Sequence, residues 1–400
     1  MEIIKRNRYL DAIAAFIDKP VIKIMTGMRR VGKSTLLLQI KEEILSSVTD
    51  EQKIYINFES YDLLNIQNDL DLKDYLAPYI KDPNKKLYFF FDEIQLVKGW
   101  ERVINALRVN DKYDIFIAGS NSNIISSELS TVLAGRYVEF EIQPFVFKEF
   151  ASQYAPLGMS KDDLFQKFIK FGGMPSLNYF NFDASSIYMY LNDIYNTIVV
   201  KDVMRHYSIR DIDTFNRVML FVMDNTGQAF SATYMHKYFK SEKRDISVNT
   251  ILNYLKSLKQ AYILQAARRF DTRCKKILDT DEKYYLTDHG FRAAVGYCNE
   301  RDIERVLENI VYIELVSRGY SVSVGRINTL EIDFVATKGK EINYYQICYL
   351  LDKQSTRDRE FGVLNKIKDN YPKYVLSMDK NDFSQDGIIH KNIIDFLLME

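Results

Sequence analysis

The chain has 400 residues, with 54 Lys and Arg against 54 Asp and Glu, so no net field draws polyanions to the molecule as a whole. Three widely spaced cysteines and the lack of a CxxC pair exclude a disulfide framework and a cysteine zinc site, and no HExxH occurs among the four histidines. Hydrophobic residues make up 47%, enough for ordinary cores, and the length suggests two to four domains at about 100–200 residues each. No apolar run reaches the ~18 residues that span a bilayer, and no signal-peptide core stands near residue 1, so a soluble, cytoplasmic protein without a membrane partner is expected.

The first strand signal is "PVIKIMT" (20–26), followed by a glycine-containing stretch and a helix-like run at 34–47. Further strands are expected at "KIYINF" (53–58), "KLYFFFDEIQ" (86–95), "YDIFIAGSNS" (113–122) and "YVEFEI" (137–142). Strands alternating with helices predict an α/β fold with a parallel sheet to about residue 150. Residues 151–225 read as mostly helical, a lid or linker with one break at "FGGMP". Two helices and a pair of strands follow over 226–298, and 299–400 opens as a helix and a β-meander.

The stretch "GMRRVGKST" satisfies GxxxxGK[ST] at a strand-to-helix junction. Glycines let successive backbone N–H groups face a phosphate, and the following helix aims its positive end at the anion. The nucleotide-binding set is therefore Gly27, Arg29, Arg30, Val31, Gly32, Lys33, Ser34 and Thr35. Lys33 is the reach to the β- and γ-phosphates, and Ser34 is a Mg²⁺ ligand. An apolar strand running into Asp92 and Glu93 supplies the other half: Asp92 as a Mg²⁺-holding carboxylate, Glu93 to polarise a water. Ser120 or Asn121, in the small polar end of the next strand, is a candidate γ-phosphate sensor or simply part of a turn. Arg136 is a candidate arginine finger in trans, a sensor in cis, or an ordinary surface arginine. ATP and Mg²⁺ are the expected cofactors.

Taken together, "GMRRVGKST", "FFFDEIQLVKGWE", "GSNS", "LAGRYVEFEIQPFVFKEF" and "FGGMP" resemble a prokaryotic AAA-superfamily ATPase family. Its members pair an N-terminal P-loop domain with a C-terminal nuclease-like domain, and the resemblance covers nearly the whole chain. It implies an ATP-dependent homo-oligomer or switch rather than an enzyme of small-molecule metabolism.

Residues 229–276 hold eleven Lys or Arg against three Asp or Glu. "FSATYMHKYFK" and "SVNTILNYLKSLKQA" read as helices, the second capped by Ser247, and a basic hairpin follows. This order resembles a winged helix. The expected DNA face comprises Asn249, Lys256, Arg268, Arg269, Arg273, Lys275 and Lys276, gripping backbone or shape rather than bases. A winged helix used only for protein packing is the other reading.

"LENIVYIEL", "GYSVSVGR", "LEIDFVAT" and "NYYQICY" resemble the PD-(D/E)xK nuclease fold, which implies a helix Glu, a strand Asp and an acid-x-Lys on the next strand. Glu308 and Asp333 match. Gln346 stands at the acid and Cys348 at the lysine, so a cutting site is not expected. The whole predicts a DNA-binding ATPase that grips or remodels DNA. The alternatives are a nucleotide-driven switch acting on a protein partner, or a nuclease with a degenerate site.

Overall fold

The computed structural model describes residues 3–120, 135–198, 203, 209, 211–271 and 276–399, with 276–281 by backbone alone. The chain forms two compact units, one of Ile3–Gln143 with Gln260–Tyr262, the other chiefly of Pro144–Lys259 and Ile263–Glu400.

In the first unit the apolar runs become β1 (Ile22–Thr26), β2 (Lys53–Asn57), β3 (Leu87–Asp92), β4 (Tyr113–Ala118) and β5 (Tyr137–Glu141). They pair entirely in parallel, in the order β2-β3-β4-β1-β5. Every residue of β1 and β3 is buried, as a parallel sheet covered on both faces requires. Phe89, Phe91, Ile94, Trp100, Ile104 and Leu107 lie in one core cluster, so β3 and the helix Trp100–Leu107 share a packed layer. Two local features depart from the sequence pattern. The run at 34–47 is an α-helix only over Lys33–Gln39 and continues as a π turn over Ile40–Ile44. A helix at Asn7–Ala14, burying Tyr9, Leu10 and Ile13, lies where only mixed charge and apolar residues were legible.

The second unit opens with the helices Phe147–Tyr154, Lys161–Phe171, Ala184–Thr197 and Ile212–Asp224. Then come Ala232–Ser241 and Val248–Gln260, and a sheet of seven strands. These are β6 (Leu264–Asp271), β7 (Lys276–Leu286), β8 (Ser321–Ile327), β9 (Leu330–Lys338), β10 (Glu341–Ile347), β11 (Lys373–Ser377) and β12 (Ile389–Asn392), in the order β12-β11-β10-β9-β8-β6-β7. The β6–β7 hairpin thus shares a sheet with β8 to β12, joined through parallel pairing of Arg269–Asp271 with Val324–Arg326. Among the described residues, no helix is long and apolar enough to cross a membrane.

The "FGGMP" break is an interlock. A Cβ on Gly172 would run into the Asp288 carboxylate, and one on Gly173 into the Phe145 carbonyl. Glycine alone allows that approach. Asp288 accepts from the N–H of Gly173 at 2.9 Å and of Gly290 at 2.7 Å. Complete burial outweighs these two donors and pushes its carboxyl up to about 7. A carboxyl raised in the fold adds stability that is complete below its ordinary value of 3.8 and is lost as pH rises through about 7. His289 beside it is pushed down to about 4 by burial and works in the opposite sense, so a variant difference isolates Asp288 better than the wild-type curve. Asp288→Asn is expected to destabilise the chain more at about pH 5 than at about pH 8, read by urea unfolding; equal losses at both would contradict the assignment.

Candidate active site

The strand register aligns the carboxyl edge of the first sheet. Asn57 pairs with Asp92, Asp92 with Ala118, and Met25 with Ala118, so the loops after β1, β3 and β4 leave side by side. The loop after β1 turns at Gly27 (φ 130°), Arg30 (φ 66°) and Gly32 (φ 93°), all in the left-handed half of backbone space. A Cβ on Gly27 would strike the Ile142 carbonyl. The helix then starts at Lys33 with Gly32 as its cap.

Lys33 is only 5% exposed, and its ammonium donates to the carbonyls of Gly27 at 2.9 Å and Met28 at 2.8 Å. The charge is thereby held across the loop. Val31 is buried and its carbonyl accepts from Arg6 Nη1 at 3.1 Å, while Arg6 Nη2 donates to the Gln143 carbonyl at 3.0 Å. Arg6 also lies over the Tyr9 ring, 4.6 Å from its centroid. This buried arginine braces the loop from behind, and nothing in its sequence surroundings announces that role. Arg29 is half-buried, Arg30 and Ser34 are exposed, and Thr35 is half-buried.

Asp92 is 1% exposed; its Oδ2 accepts from the Tyr55 hydroxyl at 2.9 Å, while Oδ1 has no hydrogen-bond partner. A buried carboxylate oxygen without a partner carries a desolvation penalty, and a cation removes it. Burial raises the Asp92 carboxyl; the Ser34 and Tyr55 hydroxyls oppose that, Glu93 reinforces it, and the Lys33 ammonium opposes it. The donor set therefore fits a divalent ion. Tyr55 was not singled out from sequence, although it lies at an alternate position of β2, next to the acid-bearing strand.

Glu93 takes a left-handed backbone (φ 55°), and its N–H donates to the Ala118 carbonyl at 2.9 Å. This turn separates the two adjacent acids. Glu93 Oε2 accepts from Ser120 Oγ at 3.1 Å and from the Gln95 amide. Ser120, itself 1% exposed, thus holds the Glu93 side chain, while Asn121 lies outside the described residues. Arg136 corrects one expectation. It precedes β5, and its carbonyl accepts from Ile22 N at 3.0 Å, so it sits at the amino edge of the sheet. A five-residue strand at ~3.3 Å per residue separates that edge from the loop, beyond an arginine's reach. A sensor role in cis is excluded; the guanidinium instead contacts Asn105 Oδ1 at 3.3 Å.

The basic segment folds as two helices and a hairpin, and Ser247 Oγ accepts from Thr250 N at 3.1 Å, the expected cap. Asn249 and Lys256 are exposed. Arg268 is also exposed and stands 3.8 Å from Glu282, which lies 3.3 Å from Lys259 as well, so one acid draws on two of the cations. Arg269 is half-buried on β6. Arg273 and Lys275 lie outside the described residues, and Lys276 opens β7.

The four nuclease-pattern residues are placed on the helix Ile303–Ser317 (Glu308), on β9 (Asp333), on β10 (Gln346) and just beyond it (Cys348). Asp333 Oδ2 accepts from Ile347 N at 2.8 Å, and Gln346 Oε1 accepts from Asp333 N at 3.4 Å. Both side chains are thus engaged with backbone between β9 and β10. Cys348 is buried in the core, where burial pushes its thiol well up. Glu308 Oε1 accepts from Lys283 Nζ at 3.0 Å and from the Tyr285 hydroxyl at 2.6 Å, and Lys283 also bonds Glu331 Oε1 at 2.7 Å. The divalent metal that the nuclease resemblance implies does not fit here, because Glu308 is already engaged by the Lys283 ammonium and the Tyr285 hydroxyl, and Asp333 by backbone. Among the described residues no group of three or more His, Cys, Asp or Glu side chains is arranged to hold a metal ion. Lys283 was missed from sequence; its signal is a lone cation two residues from Tyr285, on the same face of β7.

This constellation on a parallel sheet defines a P-loop domain, and residues 19–151 match the AAA domain family. Residues 162–302 match a domain family of unknown function. An uncharacterized protein of Haemophilus influenzae is 36% identical over 99% of this chain and 99% of its own length. An uncharacterized protein of Methanocaldococcus jannaschii is 31% identical over 92% of this chain and 84% of its own. The chain belongs to the family of these full-length relatives. A solved structure of the Aeropyrum pernix ORC1 protein in complex with DNA aligns with 76% of this chain and 94% of that one, at 11% identity and a TM-score of 0.31.

Two expected outcomes test the site. Gly27→Ala is expected to abolish nucleotide binding and to lower the melting temperature as well, because the added Cβ meets the buried Ile142 carbonyl just beyond β5 at a left-handed φ; unimpaired binding would contradict the close approach. Tyr55→Phe removes a donor that lowers the Asp92 carboxyl, so Mg²⁺-dependent nucleotide binding is expected to fail at a higher pH than in the wild type. An unmoved acid limb would detach Tyr55 from the site.

Proposed function

We propose that the protein is an ATP hydrolase that works as a homo-oligomer and couples nucleotide turnover to gripping or remodelling DNA. The observation that carries the ATPase reading is the partnerless Oδ1 of Asp92, buried beside a P-loop whose lysine is already held in place. Gly27 to Thr35 cradle the phosphates, and Lys33 exchanges its loop carbonyls for phosphate oxygens. Ser34 and Asp92 hold Mg²⁺, which supplies positive charge to the phosphates. Glu93, steadied by Ser120 and Gln95, accepts the proton of the attacking water. Arg136, out of reach of its own loop, serves a neighbouring subunit's nucleotide.

In this reading residues 1–150 are the ATPase domain, 151–225 a helical lid, 226–298 a winged helix and 299–400 a nuclease-like domain that does not cut. The winged helix grips the DNA backbone. The excess of Lys and Arg over 229–276 in an otherwise neutral chain supports that grip, because neutralised phosphates release counterions.

The test is steady-state ATP hydrolysis, alone and with single-stranded, duplex or four-way-junction DNA, at low and high salt. Stimulation by one DNA form that fades at high salt is expected. Turnover indifferent to every DNA would overturn the DNA reading in favour of a protein partner. Glu93→Gln is expected to bind ATP and lower turnover by roughly 100-fold or more, the scale of a lost general base; unchanged turnover would remove Glu93 from the mechanism.

A further inference from the structure

Lys283 is 4% exposed, yet it carries a charge into the interior. An ammonium is tolerated there only when carboxylates surround it. Its two partners come from different elements, Glu308 from the helix Ile303–Ser317 and Glu331 from β9, at 3.0 and 2.7 Å. Asp333, two residues along β9, adds its field, and the three acids together raise the Lys283 ammonium well above its ordinary range, against the effect of burial. The Tyr285 hydroxyl takes a further position on Glu308 Oε1, at 2.6 Å. One residue on, Asn309 of the same helix bonds both the N–H and the carbonyl of Leu286, each at 2.8 Å.

We propose that Lys283 is the resident cation of this carboxylate site, standing where a divalent metal would otherwise be held, and that it converts the site into an anchor for β7. Lys283 and Tyr285, two residues apart on β7, together with the backbone of Leu286, then fasten this end of the strand to one helix. The proposal rests on the nuclease-like reading of this sheet for the comparison with a metal.

The test uses nucleotide-free full-length protein and Mn²⁺ alone. Melting of the wild type is expected to be indifferent to millimolar Mn²⁺. Lys283→Ala is expected to melt several degrees lower and to recover part of that loss with Mn²⁺, and the recovery should vanish in the double variant Lys283→Ala/Glu308→Gln. Should Lys283→Ala not fold unaided, refolding with and without Mn²⁺ gives the same reading through the soluble yield. No rescue by Mn²⁺, or an equal Mn²⁺ shift in the wild type, overturns the stand-in role. A parallel assay of the wild type on duplex and branched DNA with Mg²⁺ separates the two readings. Cutting that is lost in Lys283→Ala would make Lys283 a catalytic lysine and defeat both readings. No cutting together with no rescue would defeat only the stand-in role.

Discussion

One carboxylate oxygen, Asp92 Oδ1, sits in the protein interior without a partner, and the first unit is arranged around it. The sheet buries β3 along its whole length, which fixes Asp92 at its end. Parallel register then brings the loops from β1 and β4 to the same edge. The hydroxyl of Tyr55 and the nearby charge of Lys33 keep the acid ionisable against burial. The left-handed turn at Glu93 sends the neighbouring acid to Ser120 instead of leaving two like charges together. A site with strong local fields results in a chain of no net charge.

The second unit balances charge differently. There Glu308 and Asp333 are satisfied internally, by an ammonium, a phenol and a backbone N–H. The hairpin and the meander share one sheet, and β7 is tied to the helix Ile303–Ser317 through the Leu286 backbone and Asn309. The Gly172–Gly173 break works to the same end by steric means, locking the segment against Asp288.

Much of this was legible from residue order alone. The five strand signals of the first unit became the five parallel strands; β1 and β3 are buried throughout, as a sheet covered on both faces requires, while β5 is partly exposed and alternates apolar with acidic residues. The P-loop and the Asp92–Glu93 pair carry spacing that local chemistry demands. Arg6, Tyr55 and Lys283 were not legible, for a common reason: each acts across a long sequence separation on a partner that only the fold supplies. The π turn after Gln39 is equally silent, since its apolar residues keep helical spacing. Arg136 fails as a cis sensor for a reason the predicted parallel order already contains: a residue just before a strand of a parallel sheet stands at the amino edge, opposite the P-loop.

A cation tethered to the polypeptide differs from a bound ion in one further respect. The ammonium of Lys283 is present at one per chain by synthesis and cannot be chelated, exchanged or starved away. The hairpin that carries it is therefore held with the same strength whatever the supply of divalent ions. The first unit instead buries a carboxylate oxygen, Asp92 Oδ1, that an exchangeable cation would satisfy. Under the proposed function, ion supply would then act on the first unit and leave the fastening of the hairpin untouched.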